Sequence, residues 1–167
     1  MSYSISLVLL FCFALSGCIH VDVFPGRGSL QETTISGVGP DKILLIDISG
    51  PLTTSKDSGL FSEPSLPARL KEELTKAEED DHIKAIVLRV NTPGGTVTSS
   101  DILYHEFQEF KQKRKVPIIT SIMDLGTSGG YYVAMASDYI YAHPSTITGS
   151  IGVIMLTLNA QGLIEKV

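Results

Sequence analysis

Asp124-Leu125-Gly126-Thr127-Ser128-Gly129-Gly130-Tyr131-Tyr132-Val133-Ala134 sets one serine among small residues. The run before it, Ile118 to Ile122, is apolar and strand-like, and Pro117 starts it. The run after it carries Val133, Ala134 and Ala136 in a helical pattern. A strand that enters a helix through Gly-Thr-Ser-Gly-Gly is the junction of an α/β chain. There a fold exposes a hydroxyl and surrounds it with backbone N–H groups that have no helical partner.

The same grammar repeats upstream. Lys42 to Ile48 is a compact apolar run closed by Ser49-Gly50-Pro51 and reads as a buried strand. Leu52 to Glu63 is polar and reads as a surface loop. Leu66, Leu70, Leu74 and Ala77 then predict a helix that Glu63-Pro64 opens. The acidic run Glu78 to Asp81 reads as its solvated end, not as a metal site. Ala85 to Val90 is a second strand, and it runs into Asn91-Thr92-Pro93-Gly94-Gly95. Ser99 or Ser100 is expected to cap the next helix, with Asp101 in its first turn. Leu103, Phe107 and Phe110 would face the core, and the basic run Lys111–Lys115 complements the helix dipole. Downstream, short strands are expected at Tyr139–Ala142 and Ile151–Met155.

Strands thus alternate with helices three times. That predicts an α/β fold with mostly parallel pairing and right-handed crossovers. In such sheets ligands sit at the carboxyl ends of strands. Both glycine turns, Pro93–Gly95 and Gly126–Gly130, fall at such ends, so two loops distant in sequence are expected to meet in one cleft.

Composition narrows the function classes. The chain has 167 residues, 43% hydrophobic and 19% charged, with a net charge of −5. That suits one globular domain plus a leader and argues against nucleic acid as a partner. Its two cysteines, Cys12 and Cys18, both precede residue 19. The rest of the chain therefore offers no disulfide framework, zinc site or cysteine nucleophile, and no metal or cofactor is expected.

Ile5 to Leu15 is an apolar core of signal-peptide length, too short for a typical spanning helix. It ends in Leu15-Ser16-Gly17-Cys18, which resembles a bacterial lipobox, although no Lys or Arg precedes the core. The expected organisation is a lipoprotein-type signal peptide over 1–18, with lipid on Cys18, and a Gly/Pro-broken tether over 19–40. The folded domain then occupies 41–167.

Acyl transfer needs a nucleophile and donors aimed at the developing oxyanion. Ser128 supplies a nucleophile, Gly129 N–H one donor, and Gly94 or Gly95 a second. Each element also has a plain reading: Pro-Gly-Gly as a simple turn, and Ser128 or Thr127 as a helix cap. Of the four histidines, His20 lies in the tether, His82 ends an acidic helix and His105 sits among polar neighbours. Only His143, before a proline on a late turn, is expected near the serine. Tyr131 and Tyr132, near the site, read as packing residues first and as the wall of a pocket second.

Arg89-Val90-Asn91-Thr92-Pro93-Gly94-Gly95, then Ser128-Gly129-Gly130-Tyr131-Tyr132-Val133-Ala134, then Thr148-Gly149-Ser150-Ile151-Gly152-Val153 resembles the signal peptide peptidase A family. These are the S49 serine peptidases, with a ClpP/crotonase-like fold of repeated β-β-α units. The resemblance covers about Lys42 to Val167. It implies Ser128 as nucleophile and Gly95 and Gly129 as the preferred oxyanion donors, with Gly94 beside them. It also implies a homo-oligomer at a membrane of the bacterial cell envelope, outside the cytoplasm, that degrades leftover signal peptides. Thr127 stands where the family usually has alanine. The family's base is a lysine beyond the Gly-Ser-Ile-Gly-Val motif, whereas Lys166 is the one lysine after Ser128 here and reads as a solvated helix residue. The expectation is a peptidase domain truncated at its C-terminus and nearly inactive alone. The alternative is a peptide-binding or oligomer-forming pseudo-peptidase. An acyl-CoA enzyme of the crotonase type fits the exported leader poorly.

Overall fold

A computed structural model describes residues 30–55 and 64–164. The signal peptide, the lipidation site Cys18, most of the tether and Lys166 lie outside them. The chain divides into two units, Met1–Ser36 and Gly37–Val167, and the second holds all the regular structure described here.

That structure is a parallel sheet. Strand β1 (Lys42–Ser49) pairs with β2 (Ile83–Thr92), and β2 pairs with β3 (Ile118–Thr127). The first half of β3 pairs with β4 (Tyr139–Ala142) and its last three residues with β5 (Ile147–Gly149). Helices α1 (Leu66–Glu78), α2 (Val97–Arg114), α3 (Gly129–Ala134) and α4 (Gln161–Ile164) complete the order. Parallel neighbours need crossovers, which is why a helix follows each of the first three strands.

The core follows from the period-two alternation of the strands and the helical period of α1 and α2. Ile46 and Ile48 of β1, Ile86, Leu88 and Val90 of β2, and Ile118 and Ile122 of β3 are buried. They form one cluster with Leu70 and Leu74 of α1 and Leu103, Phe107 and Phe110 of α2. The intervening strand residues take the other face, where Asp47 and Arg89, register partners, form a salt bridge.

Near the site the sheet departs from regularity. Val90 pairs with Ile122 and Thr92 with Gly126, so β3 spends two more residues than β2 on that step. The irregularity is tied down from both sides. Leu125 N–H donates to Asn91 Oδ1 at 3.1 Å, and Thr148 Oγ1 donates to the Gly126 carbonyl at 2.8 Å. A bulge of this kind re-aims the strand that leaves it, and here that strand leads to Ser128.

Three expectations change. The cap of α2 is Thr96, whose hydroxyl accepts from Ser99 N–H at 3.3 Å, so Ser99 and Ser100 lie inside the first turn. Leu52 is not part of a surface loop: it is fully buried and bridges to Gly95. The last strand is Ile147–Gly149, not Ile151–Met155. The final β3 residue, Thr127, already pairs with Gly149, so residues from Ile151 onward have no described strand to continue on.

Candidate active site

Ser128 is the single residue between the end of β3 at Thr127 and the start of α3 at Gly129. Its backbone sits at φ 51° and ψ −121°. For a residue with a Cβ such a conformation costs about 1–3 kcal/mol and persists only where the surroundings impose it. They do so through both backbone groups. Ser128 N–H donates to the Gly149 carbonyl at 2.8 Å, and the Ser128 carbonyl accepts from Tyr132 N–H at 3.0 Å. A sharp strand-to-helix turn with a strained serine at its tip lifts that hydroxyl off the sheet, as in a nucleophile elbow.

The plain cap readings do not hold. The Ser128 side chain caps nothing in α3, and its Oγ bonds to no other described residue. The Thr127 hydroxyl points elsewhere, donating to the Pro93 carbonyl at 3.0 Å.

That bond joins the elbow to the turn at the end of β2. Gly94 has φ 90°, which favours glycine. A Cβ on Gly94 would lie 2.7 Å from Gly129 N, 2.8 Å from the Thr127 carbonyl oxygen and 2.9 Å from Ser128 Cβ. A Cβ on Gly129 would lie 3.4 Å from Gly95 N and 2.1 Å from Ser100 Oγ. The two turns therefore touch with no side chain between them.

The backbone donors divide unequally. Gly94 N–H is used, donating to Thr92 Oγ1 at 3.1 Å. Gly95 forms a parallel bridge to Leu52, in which Leu52 N–H donates to the Gly94 carbonyl and Thr96 N–H to the Leu52 carbonyl. In that pattern the bridging residue's own N–H faces away from the partner, so Gly95 N–H turns from Leu52. Neither Gly95 N–H nor Gly129 N–H donates to another described residue. Leu52, which the sequence reading placed in a loop, is thus what seats Gly95: a Cβ there would lie 2.0 Å from its carbonyl oxygen.

The polar groups nearby are paired with one another. Tyr132 stacks on Tyr104 with centroids 4.8 Å apart, and its hydroxyl donates to Asp101 Oδ1 at 3.0 Å. That bond to a carboxylate pushes the tyrosine pKa up. His105 Nε2 lies 3.5 Å from the same carboxylate oxygen. His143 Nδ1 bonds to Ser145 Oγ at 2.7 Å. The acidic run after α1 is a set of surface ion pairs, Lys113 with Glu78, Lys42 with Asp80 and Arg114 with Asp81. The Lys42 ammonium, foremost, holds the Asp80 pKa below its ordinary value. Among the described residues no group of three or more His, Cys, Asp or Glu is placed to hold a metal, and no helix is long and apolar enough to cross a membrane.

The chain is similar to known proteins in sequence and in fold. Residues 110–167 match the model of peptidase family S49. An Enterococcus faecium protein named as signal peptide peptidase SppA is 37% identical over 146 residues, which is 86% of this chain and 42% of that one. Protease 4 of Haemophilus influenzae is 34% identical over 128 residues, 77% of this chain and 20% of its own length. The chain thus spans less than half the length of either relative. Two mutant structures of the membrane-bound stomatin-specific protease 1510-N, one with a substrate peptide, superpose with a TM-score of 0.55 at 21% and 22% identity. They cover 71% of this chain and 51% and 48% of theirs. The α/β fold expected from the sequence, of the ClpP/crotonase-like type, is the fold observed.

Proposed function

We propose that this chain, which belongs to peptidase family S49, is the nucleophile-bearing part of a serine peptidase. Ser128 Oγ attacks the carbonyl carbon of a peptide bond and gives its proton to a base. The carbonyl oxygen becomes an oxyanion, which accepts hydrogen bonds from Gly95 and Gly129 N–H. Collapse expels the amine, which takes up the proton, and leaves an acyl ester on Ser128. Water then hydrolyses that ester by the same route in reverse. The base is a lysine beyond the Thr148–Val153 motif, as the family resemblance implies.

One observation carries this reading: a serine held at φ 51° on a strand-to-helix turn, against two glycines whose close approach excludes any side chain. A turn or a cap would need neither the strain nor the contact. The relatives' names support peptide substrates, and signal peptides in particular. The leader supports a lipid anchor on Cys18 in the bacterial cell envelope, with the domain outside the cytoplasm, and the resemblance supports a homo-oligomer.

The second reading, a peptide-binding pseudo-peptidase, draws on the lack of a base among the described partners of Ser128. Hydrolysis of a fluorogenic peptide with an apolar signal-peptide core, by the chain joined to the segment that supplies its base lysine, separates the two. Turnover that disappears in Ser128→Ala supports the peptidase. Binding of the same peptide with no turnover and no acyl-enzyme mass supports the binding module. Turnover that survives Ser128→Ala contradicts the assignment of the nucleophile.

A further inference from the structure

The Pro93–Gly94 peptide unit is gripped at both ends. Its carbonyl accepts from Thr127 Oγ1 at 3.0 Å, and its N–H donates to Thr92 Oγ1 at 3.1 Å. Thr92 spends its own proton on the Gly50 carbonyl at 2.5 Å, which leaves its lone pairs for Gly94. Thr92 is fully buried and Thr127 nearly so, so solvent does not compete for these bonds.

The geometry makes this grip consequential. Proline followed by a residue at φ 90° is the arrangement of a type II turn. Types I and II differ mainly in which way that central peptide plane faces. Turning it over would break both threonine bonds at once. It would also move the next group along, Gly95 N–H, which sits 3.4 Å from the position a Gly129 Cβ would take. Small displacements of an oxyanion donor cost rate because its strength depends on aim.

We propose that Thr127 is a positioning residue: its hydroxyl, opposite Thr92, locks the Pro93–Gly94 peptide plane and so holds Gly95 N–H aimed at the Ser128 elbow. The inference rests on Ser128 as nucleophile. Alanine, the residue the family resemblance leads one to expect at position 127, offers no such bond. The lock touches no substrate atom and acts only through the turn.

The test uses the chain joined to the segment that supplies its base lysine, in two measurements. The first is the rate of covalent labelling by a fluorophosphonate probe, read by intact mass. The second is hydrogen exchange of the Gly94 amide, read by NMR. Thr127→Val keeps the shape and removes the hydroxyl; Thr127→Ser keeps the hydroxyl. Loss of one hydrogen bond predicts labelling slower by about five- to tenfold in Thr127→Val. Gly94 exchange should quicken by a similar factor, and both should return toward wild type in Thr127→Ser. Should the valine variant not fold, Thr127→Ala reads the same loss. Wild-type labelling in the valine variant, unchanged Gly94 protection, or no rescue by serine overturns the lock. Ser128→Ala separates the two claims. If it takes no label, the nucleophile stands whatever Thr127 does. If it labels like wild type, or if the wild-type chain takes no label, the nucleophile reading fails and the lock loses its purpose.

Discussion

Replacing Gly94 by alanine tests whether the two turns touch as described. The new methyl would meet Gly129 N at 2.7 Å, the Thr127 carbonyl at 2.8 Å and Ser128 Cβ at 2.9 Å. Two of these contacts are backbone, so no rotamer change relieves them. The φ of 90° adds a backbone cost of its own. Holding an L-residue in that region costs about 1–2 kcal/mol. Forcing an extra methyl into a packed site costs about 1–3 kcal/mol more. Gly94→Ala is therefore expected to lose about 2–5 kcal/mol. Gly50 provides the control, because it has φ 73° with nothing within 4 Å of its would-be Cβ. Gly50→Ala should lose the backbone cost alone, about 1–2 kcal/mol. Urea denaturation of both reads the difference. With a slope of about 2 kcal/mol per molar, the midpoint should fall by about 1–2.5 M for Gly94→Ala and about 0.5–1 M for Gly50→Ala. Equal midpoints for the two variants would refute the reasoning, since they would show that the elbow leaves room at Gly94.

Three further outcomes follow. Gly129→Ala collides first with a side chain, Ser100 Oγ at 2.1 Å. Its destabilisation, about 1–3 kcal/mol, should be partly relieved by adding Ser100→Ala. Additive losses in the double-mutant cycle would show that the two residues are not neighbours. Asp138 accepts from Lys111 Nζ at 2.7 Å and from Ile118 N–H at 2.8 Å, and the lysine, foremost, lowers its pKa from the ordinary 3.8. A lowered carboxyl pKa contributes stability that is present above the unfolded value and is lost as pH falls through the folded one. Asp138→Asn should therefore be less stable than wild type at pH 7, with the gap closing below the ordinary 3.8 in acid titrations of the urea midpoint. A gap that widens in acid contradicts that assignment. Thr96→Ala removes the α2 cap and should lower stability by about 1 kcal/mol, whereas Thr96→Ser should hold it near wild type.

Patterns carried by one element were legible in the sequence. The apolar runs gave β1 to β4, and the spacing of Leu66, Leu70, Leu74 and Ala77 gave α1. Prolines and glycines marked the turns, and strand-end placement brought Gly94, Gly95, Ser128 and Gly129 toward one place. Relations between elements were not legible. Leu52 follows a proline in a polar stretch, and only its bridge to Gly95 makes it a core residue. The cap of α2 depends on where β2 releases the chain, which no local propensity sets, so the sequence favours two serines three and four residues after Thr96. The strand at Ile147–Gly149 is polar enough to hide, since its pairing follows from the end of β3 and not from its own residues. Thr127 reads in the sequence only as a cap candidate or a departure from the family's alanine, because a hydroxyl's partner across 34 residues has no sequence signal. The strain at Ser128 is likewise a property of the elbow, visible only once Gly149 and Tyr132 are seen to hold its backbone.

The central claim is that Ser128 is a nucleophile. The most direct measurement is to expose the folded chain, joined to the segment that supplies its base lysine, to a fluorophosphonate probe, digest it, and locate the adduct by tandem mass spectrometry. The account predicts one adduct, on Ser128, absent after urea unfolding and absent in Ser128→Ala. An adduct on another serine, or none on a chain shown to be folded, would contradict it.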